Sequence, residues 1–289
     1  MKFTIEPGTS ADIDELEKLY DELNDYLAAT TNYPGWIKGI YSIYFSPTQG
    51  TKVITNTLSQ EIGTYKEIDL CEYNDPIPER SFSENDICLI GVPSYGGRVP
   101  RTAVERINGL KGNGASAILV VSYGNRDYDD TLIELYDVVK AQEFTCIGGV
   151  TAIAEHSIMH QFASGRPDTD DISQLKTFAK EIQGKIDASI LTEVQVKGNR
   201  PYKELKEVPF HPITSNLCTQ CGLCAKLCPV RAIPFEAPNQ TNVEQCISCM
   251  RCIQVCPSKA RHLDEQMLNM VSEKMKPLFE QRKENELFL

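Results

Sequence analysis

Short apolar runs alternate with helix-length amphipathic segments between residues 40 and 188. The apolar runs have strand length and are bounded by turn residues: Ile40–Phe45, Glu67–Leu70, Ile87–Val92, Ala117–Ser122 and Phe144–Val150. The segments with helical spacing are Thr51–Ile62, Pro100–Leu110, Asp129–Lys140 and Ile172–Ala188. Strands that alternate with helices predict βαβ units, a mostly parallel sheet and right-handed crossovers that place helices on both faces. We therefore predict a doubly wound α/β domain with a five-stranded sheet over residues 37–189.

Four further segments surround this domain. Residues 1–36 are acidic, and their apolar positions recur at helical spacing, which predicts a packing helix with a charged outer side. Residues 190–212 contain several prolines and are typical of a linker. Residues 213–262 contain most of the cysteines. Residues 263–289 predict a C-terminal amphipathic helix whose methionine-rich stripe is more typical of a packing face than of a partner groove.

Length, composition and charge narrow the classes of function. The 289 residues are 41% hydrophobic and 24% charged, as in a globular chain of about two domains. The 40 acidic residues exceed the 29 lysines and arginines, so the net charge of -11 argues against nucleic-acid binding. The first thirty residues lack a basic-then-apolar signal segment, and no apolar run approaches the roughly 20 residues that span a bilayer. We expect a cytoplasmic protein without a membrane span.

Eight of the eleven cysteines lie between Cys218 and Cys256. They form two copies of the spacing C-x2-C-x2-C-x3-C-P, which end at Pro229 and Pro257. Three thiolates spaced by two residues can surround three corners of an iron–sulfur cluster, and the fourth ligates the neighbouring cluster. The spacing thus predicts two [4Fe–4S] clusters, one held by Cys218, Cys221, Cys224 and Cys256 and the other by Cys246, Cys249, Cys252 and Cys228. Residues 213–262 are similar to bacterial two-cluster ferredoxins, which implies a small α+β fold that carries electrons.

A pair of zinc sites is the alternative for these cysteines. Four-thiolate zinc sites usually combine two separated C-x-x-C pairs around one ion, and not consecutive triplets followed by a Cys-Pro step. The spacing therefore favours clusters. The remaining thiols, Cys71, Cys88 and Cys146, lie on or beside candidate strands and are typical of small buried side chains.

Three loops leave the carboxyl ends of candidate strands, which is where open α/β sheets bind ligands. Ser46–Thr51 precedes a helix, and its hydroxyls and backbone N–H groups suit a phosphate. The loop contains no lysine of the nucleoside-triphosphate type. Gly91–Gly97 and Ser122–Tyr128 follow the third and fourth strands. Their glycines allow close backbone approach, and their tyrosines can stack on an aromatic ring.

These three loops resemble those of the flavodoxin family, which implies the strand order 2-1-3-4-5 and FMN at the switch point. The resemblance implies that the FMN phosphate is held by Ser46, Thr48, Gln49, Gly50 and Thr51. It also implies that the isoalloxazine ring is bordered by Pro93, Ser94, Tyr95, Gly96, Gly124, Asn125 and Tyr128. The loop departs from the family pattern Ser/Thr-x-Thr-Gly-x-Thr, because Gln49 and Gly50 stand in reversed order. A flavodoxin-like domain without a flavin is the alternative.

A flavodoxin-like part followed by a two-cluster ferredoxin-like part resembles the fused flavodoxin–ferredoxin proteins of anaerobes. We expect an electron-transfer protein that relays electrons between FMN, two [4Fe–4S] clusters and an external redox protein, without catalytic acid–base residues. One alternative is a flavin-dependent reductase of a small organic substrate that is fed by the clusters. Another is a redox sensor whose terminal helix signals to a partner.

Several other signals are set aside or left open. Gly112–Ala117 fits the dinucleotide fingerprint but precedes a strand, so it has the wrong context. His156 and His160 lack the H-E-x-x-H pattern and predict packing or surface roles. The opening segment is similar to the start of acetyltransferases, but the acetyl-CoA loop is absent. Residues 213–262 contain five lysines and arginines against two glutamates, so this basic segment could steer an acidic redox partner.

Overall fold

The computed structural model describes residues 39–205, 208 and 210–289. The predicted helix of residues 1–36 lies outside this part of the chain. The strands are β1 (Ile40–Tyr44), β2 (Lys66–Asp69), β3 (Arg80–Ser81), β4 (Ile87–Pro93), β5 (Leu110–Lys111), β6 (Ser116–Tyr123), β7 (Thr145–Ile153), β8 (Ile213–Thr214), β9 (Arg261–His262) and β10 (Glu286–Phe288). The helices are α1 (Gly50–Ile62), α2 (Arg101–Ile107), α3 (Thr131–Lys140), α4 (Thr169–Asp187), α5 (Leu223–Lys226), α6 (Arg251–Gln254) and α7 (Glu265–Phe279).

The central sheet has five parallel strands in the order β2-β1-β4-β6-β7. Numbered along the chain, these five strands have the order 2-1-3-4-5, the doubly wound order of flavodoxin-like folds. The predicted fold class is confirmed. A sixth strand, β10, pairs antiparallel with β7 and places Leu287 opposite Val150. The sequence did not predict this strand.

Alternating side chains along the buried strands divide the core into two layers. Ile90 and Leu119 face the layer that contains α2 and α3. Leu89, Ile118 and Val120 face the layer that contains α1 and α4. Because both faces are covered, β4 and β6 read as continuous apolar runs in the sequence. The site therefore rests on a sheet that is packed from both sides.

Several element boundaries differ from the predicted ones by a few residues, and two of these differences change the path of the chain. Helix α2 ends at Ile107, not at Leu110, because the chain turns at Gly109, whose carbonyl accepts from the backbone N–H of Arg80 (2.9 Å). Leu110 then begins β5, which pairs with β3. At the C-terminus, α7 ends at Phe279, and the charged stretch after it leads into β10.

The predicted linker packs against the α/β domain along its described residues. The backbone N–H of Val194 donates to the carbonyl of Cys146 (2.8 Å). Further along, the backbone N–H groups of Asn199 and Lys203 donate to the carboxylate of Asp130 (2.8 and 2.6 Å). This segment and β10 both pair with β7, so they cover an edge that would otherwise present unpaired N–H and C=O groups.

The cysteine-rich unit is built around a very small core. Strands β8 and β9 pair antiparallel, and α5 and α6 lie between them in sequence. Ala225, Ala232 and Ile233 pack among the thiols. So small a core needs cross-links or metal to hold it together. Within the described ranges, no helix has the length and apolar character required to cross a membrane.

Candidate cofactor sites

The loop after β1 is shaped for an anion. The first turn of α1 leaves the backbone N–H groups of Gly50 and Thr51 without an intrahelical acceptor. The next two N–H groups are satisfied, because Lys52 donates to Ser46 Oγ (2.9 Å) and Val53 to the Gln49 carbonyl (3.0 Å). The free N–H groups and the positive end of the helix suit a phosphate.

The reversed order of Gln49 and Gly50 has a structural explanation. Gln49 adopts a left-handed conformation with φ of 71°, a region that favours glycine. The following glycine is needed for space, since a Cβ on Gly50 would lie 2.9 Å from the Cβ of Ala154. The loop thus keeps the turn with a non-glycine residue and uses its glycine for close packing.

The loop after β4 holds Tyr95 in a fixed position. Tyr95 and Arg98 pair across a tight turn whose central residues, Gly96 and Gly97, both have positive φ (63° and 89°). The Arg98 guanidinium donates two hydrogen bonds of 2.7 Å to the carboxylate of Glu134, which anchors the turn to α3. Tyr95 therefore sits on a rigid support.

A cavity of about 580 Å³ lies at the carboxyl edge of the sheet. Its volume falls within the roughly 300–1,000 Å³ of small-molecule sites. Nine of the twelve predicted flavin residues line it: Thr48, Gln49, Gly50, Thr51, Pro93, Ser94, Tyr95, Gly96 and Gly124. A 2.7 Å hydrogen bond between Thr51 Oγ1 and Ser122 Oγ ties two of the loops together. The structure thus brings the three predicted loops to one cavity.

Three predicted flavin residues do not line this cavity. Ser46 is buried beneath the loop, where its hydroxyl accepts from Lys52 N. The Asn125 amide donates to the carbonyls of Phe279 (2.6 Å) and Gln281 (3.0 Å), so it fastens the chain after α7. Tyr128 is buried, and its hydroxyl donates to Glu286 (2.6 Å). Contacts with the C-terminal segment, and not the cavity, account for Asn125 and Tyr128.

His156 is a cavity residue that the sequence assigned to a packing or surface role. Its Nδ1 accepts from the backbone N–H groups of Ile158 (3.2 Å) and Met159 (3.1 Å), which places the ring proton on Nε2. Burial lowers the pKa of His156 to about 4. The ring packs edge-on against Phe279 with centroids 5.3 Å apart. The neutral ring is a fixed N–H donor on the cavity wall.

The first predicted set of thiols surrounds a small separate cavity. Its lining contains Cys218, Cys221, Cys224 and Cys256, together with Pro257 and Arg261. Three of these cysteines come from the first repeat and the fourth from the second repeat. Cys221 is exposed to solvent. The described residues contain no group of His, Cys, Asp or Glu side chains that could hold a single metal ion.

The second predicted set is also brought together. Burial raises the pKa of Cys249 well above its ordinary range, and the neighbouring thiols of Cys252, Cys228 and Cys246 add to this effect. Burial likewise raises the pKa of Cys252 to about 12, with further contributions from Cys246 and Cys228. Cys228, from the first repeat, thus joins three cysteines of the second. This group is more deeply buried than the first, since none of its four cysteines is exposed, whereas Cys221 of the first group is exposed.

The loop of the second repeat borders both sites. Cys246 and Cys249 belong to the thiol group, while Ile247, Ser248 and Met250 line the large cavity. Tyr95 lies at the same boundary. Burial raises its pKa most, and the nearby thiols of Cys249, Cys71 and Cys246 raise it further. The sequence alone could not place this loop against the cavity. The apolar residues between its cysteines, Ile247 and Met250, were the available signal.

Several contacts fix the cysteine-rich unit to the α/β domain. Gln254 of α6 donates to the Thr48 carbonyl in the phosphate loop (3.1 Å). The buried Arg106 guanidinium of α2 donates to the carbonyls of Leu70 and Pro229, which belong to different units. Ile247 packs against the main core of the sheet. The two units therefore form one continuous structure around the cavity.

The expected basic face of residues 213–262 is corrected by the structure. Arg251 and Arg261 turn away from solvent: the Arg251 side chain is 12% exposed and Arg261 as a whole is 3% exposed. The Arg231 guanidinium stacks on Tyr73 and Phe235. The exposed charges of this segment are two cations and two anions: Lys226, Lys259, Glu236 and Glu244. Three of the five cations of the unit therefore lie against protein, and the solvent-facing charges of the unit balance.

The donor groups fit the predicted cofactors. Eight thiols in two groups of four match the soft ligands that iron–sulfur clusters require. The large cavity combines a helix N-terminus for a phosphate with tyrosine and apolar walls for a ring system. Fold and sites thus define a chain that joins a flavodoxin-like domain to a 4Fe–4S dicluster domain.

Comparisons with known sequences agree with this description. Residues 212–257 match the family model of the 4Fe-4S dicluster domain. A stretch of 40 residues is 45% identical to the putative electron transport protein YccM of Escherichia coli (strain K12). This match covers 14% of the chain and 11% of that protein, so the chain spans about a tenth of the length of this relative.

Solved structures with related folds include flavodoxins and an azoreductase. The flavodoxin of Streptococcus pneumonia TIGR4 is 16% identical, with a TM-score of 0.37, over 50% of this chain and 98% of its own. Flavodoxin 1 of Bacillus cereus is 15% identical, with a TM-score of 0.35, over 49% and 95%. An FMN-dependent NADH-azoreductase of Bacillus anthracis is 9% identical, with a TM-score of 0.32, over 51% and 98%. The strand order, and not these scores, assigns the fold.

Proposed function

We propose that this chain is an electron-transfer protein in which FMN in the large cavity exchanges electrons, by way of two [4Fe–4S] clusters, with an external redox protein. The observation that carries the proposal is the loop of the second repeat, which contributes Cys246 and Cys249 to a thiol group and Ile247, Ser248 and Met250 to the cavity. When bound, FMN supplies two-electron chemistry and each cluster supplies one-electron transfer. A loop that borders both sites keeps them adjacent.

In this proposal each cluster takes three ligands from one repeat and one from the other. The first is held by Cys218, Cys221, Cys224 and Cys256, and the second by Cys246, Cys249, Cys252 and Cys228. Crossed ligation ties the two halves of the unit together. Cluster binding then contributes directly to the folding free energy of this part of the chain.

The flavin site is assigned to the loops that line the cavity. The N–H groups of Gly50 and Thr51 hold the phosphate, and the loop from Pro93 to Gly96, together with Gly124, borders the ring. Asn125 and Tyr128 are left out of the site because their polar groups bind the C-terminal segment. His156 offers its Nε2–H to an acceptor on the ligand.

The two thiol groups differ in their access to solvent, which suggests separate roles. Cys221 is exposed and the adjoining Leu217 is 62% exposed, so the first group is assigned as the port for an external redox protein. The second group is buried beside the cavity. The spacing of the cysteines favours cluster ligation over disulfides, which is typical of proteins in a reducing compartment, and we therefore propose a cytoplasmic location.

The test is the composition of protein purified with air excluded. We expect about eight iron atoms and a matching amount of acid-labile sulfide per chain, as two [4Fe–4S] clusters require. Heat extraction should release FMN, identified by chromatography and mass. Zinc in place of iron would contradict the cluster assignment. A protein that binds iron but releases no flavin, and does not bind added FMN, would contradict the assignment of the cavity.

A second candidate, a flavin-dependent reductase, is favoured by the far wall of the cavity. Helix α7 contributes Val271, Met275 and Phe279 to this wall, so the cavity continues past Tyr95 to an apolar surface with the His156 N–H beside it. Such a wall suits a small apolar carbonyl compound.

The reductase test is the rate at which photochemically reduced protein, free of any other reductant, is reoxidised by benzoquinone-type acceptors at increasing acceptor concentration. A saturable rate that Met275→Trp abolishes, with the flavin content unchanged, would support a substrate site. Equal rates in both proteins would leave only electron transfer to partner proteins.

A further inference from the structure

Arg261 is a buried cation without a carboxylate partner. The residue is 3% exposed, and no ion pair joins it to an aspartate or glutamate among residues 39–205, 208 and 210–289. Its guanidinium donates to Thr241 Oγ1 (2.5 Å), to the Gln240 carbonyl (2.7 Å) and to the Pro238 carbonyl, which are all neutral acceptors. Within the same residues, its buried Nε has no hydrogen-bond partner. A charge taken out of water is costly unless an opposite charge lies near it, and the carboxylates of the protein do not supply that charge.

The first thiol group lies directly beside this cation. Arg261 lines the small cavity that the four cysteines of this group surround. The Sγ atom of Cys224 lies 3.5 Å from the Pro238 carbonyl oxygen, and the same oxygen accepts from Arg261 Nη2. The backbone N–H of Arg261 also hydrogen-bonds to Cys256, and β9 holds this backbone against Thr214 of β8. One carbonyl oxygen therefore links the guanidinium to a thiol of the first group.

The second thiol group reaches the same place. One thiol of the first group packs in the same small core as thiols of the second. These are Cys224 on one side and Cys228, Cys246 and Cys252 on the other. Burial raises the pKa of Cys252 to about 12, and the positive charge of Arg261 opposes this rise. The same charge opposes the rise that burial causes in the pKa of Cys246. Arg261 thus lies between the two thiol groups.

Resting on the proposed function, we propose that Arg261 is the shared internal counterion of the two clusters and makes both of them easier to reduce. Four thiolates give each cluster a net negative charge, which supplies the opposite charge that Arg261 lacks. Each cluster takes up one electron from the external redox protein, and no bond forms or breaks. The added negative charge is costly in a buried unit, and a fixed cation nearby lowers that cost.

A shared cation differs in its effects from a cation beside one cluster and from a purely structural arginine. Because it lies between the two thiol groups, its removal shifts both clusters in the same direction. Because it acts through its charge, a lysine at this position retains most of the effect. A structural arginine acts through its hydrogen bonds to Thr241, Pro238 and Gln240, which a lysine cannot reproduce.

The experiment is a redox titration of the anaerobically purified full chain, followed by electron paramagnetic resonance, with iron analysis of each variant. In Arg261→Gln we expect the equilibrium constants for reduction of both clusters to fall about tenfold, the size expected for one charge at close range in a partly screened interior. Arg261→Lys should stay within about threefold of the wild type. The matched control is Lys259→Gln, which removes an exposed cation two residues earlier and should change either constant less than about twofold.

The outcomes separate this inference from the proposed function. If both clusters are present in Arg261→Gln and at most one of them shifts, the shared counterion is overturned and the relay stays intact. Equal losses in Arg261→Lys and Arg261→Gln would also overturn it, because the hydrogen bonds and not the charge would then matter. Absence of both cluster signals from the wild-type protein would overturn the relay itself.

A second variant keeps the test decisive if Arg261→Gln does not fold. Thr241→Asp places a carboxylate at a side chain that already accepts from the guanidinium. Paired with this anion, Arg261 should no longer compensate the clusters, so both should become harder to reduce. Thr241→Asn is the uncharged control. Unchanged potentials in Thr241→Asp would overturn the inference.

Discussion

The two cysteine repeats have the same spacing and opposite surroundings. The first repeat carries Thr219 and Gln220 between its first two cysteines, both exposed. The second carries Ile247 and Ser248 at the same positions, and both line the large cavity. After the second cysteine, Gly222 and Leu223 of the first repeat correspond to Met250 and Arg251, of which Met250 is 3% exposed. Ligand spacing sets which cofactor is bound, and the residues between the ligands set where it lies.

The largest expected effect comes from removing one ligand from each repeat. Cys249→Ala should lose about half the iron, lower the free energy of unfolding by more than about 4 kcal/mol and release most of the flavin, because the loop that borders the cavity loses its anchor. Cys221→Ala should lose a similar share of iron but keep its flavin. Iron analysis, flavin extraction and denaturant unfolding measure the three quantities. Equal loss of flavin in both variants would show that the repeats do not differ as described.

The next effect is the response of the cavity to acid. The folded-state pKa of His156 is about 4, below its ordinary value of 6.5, so between these values only the unfolded chain takes up the proton. Stability should therefore decrease by about 2 kcal/mol as the pH falls from 7 to 5, and His156→Gln should remove this part of the decrease. Denaturant unfolding at the two pH values measures it. The matched control is His160→Gln, in an exposed histidine of the same loop. Parallel pH profiles for wild type and His156→Gln would contradict the buried neutral ring.

A third change adds a cation to the first repeat. Leu223→Arg should make the first cluster easier to reduce by less than about threefold, because water screens a charge at this partly exposed position. Potentiometric titration gives the shift, with Leu223→Met as the uncharged control. A larger shift would mean that solvent does not screen the first cluster and that exposure is not what separates the two repeats.

The smallest expected effect concerns the contact between α6 and the phosphate loop. Gln254→Ala removes the hydrogen bond to the Thr48 carbonyl and should cost at most about 1 kcal/mol of stability. It should also weaken FMN binding a few-fold, measured by fluorescence titration of the flavin-free protein. Lys226→Ala, at the equivalent position of the first repeat, is the control. If both variants bind FMN equally well, the second repeat does not support the loop through this contact.

The sheet could be predicted from the sequence because its strands are buried on both faces. Runs such as Ile87–Val92 stay apolar at every position, and tight turns or helices separate them. The strand β10 could not be predicted in this way. Its three residues, Glu286–Phe288, have no periodicity of their own and become a strand only through pairing with β7.

The candidate site was predictable as far as local sequence determines it. Loops that follow parallel strands meet at one edge by topology, so the sequence predicts that Thr48, Ser94 and Tyr95 lie close together, and all three line the cavity. Asn125 and Tyr128 lie in the right loop, but their polar groups bind residues more than 150 positions away. The arrangement of the two units brings the second repeat to the cavity. It depends on contacts between residues far apart in the sequence, which no local pattern reveals.

The path of the chain has a consequence for how electrons reach the flavin site. Residues 213–262 follow a segment in which Arg200 donates to Asp137 of α3. They lead through α7 to β10, which pairs with β7 of the flavodoxin-like sheet. The iron–sulfur unit is thus attached to the α/β domain through the segments before and after it, and not through a single flexible linker. Under the proposed function, its redox centres need no diffusive search to meet the flavin, because the fold fixes their effective concentration. Only the encounter with the outside partner should depend on protein concentration.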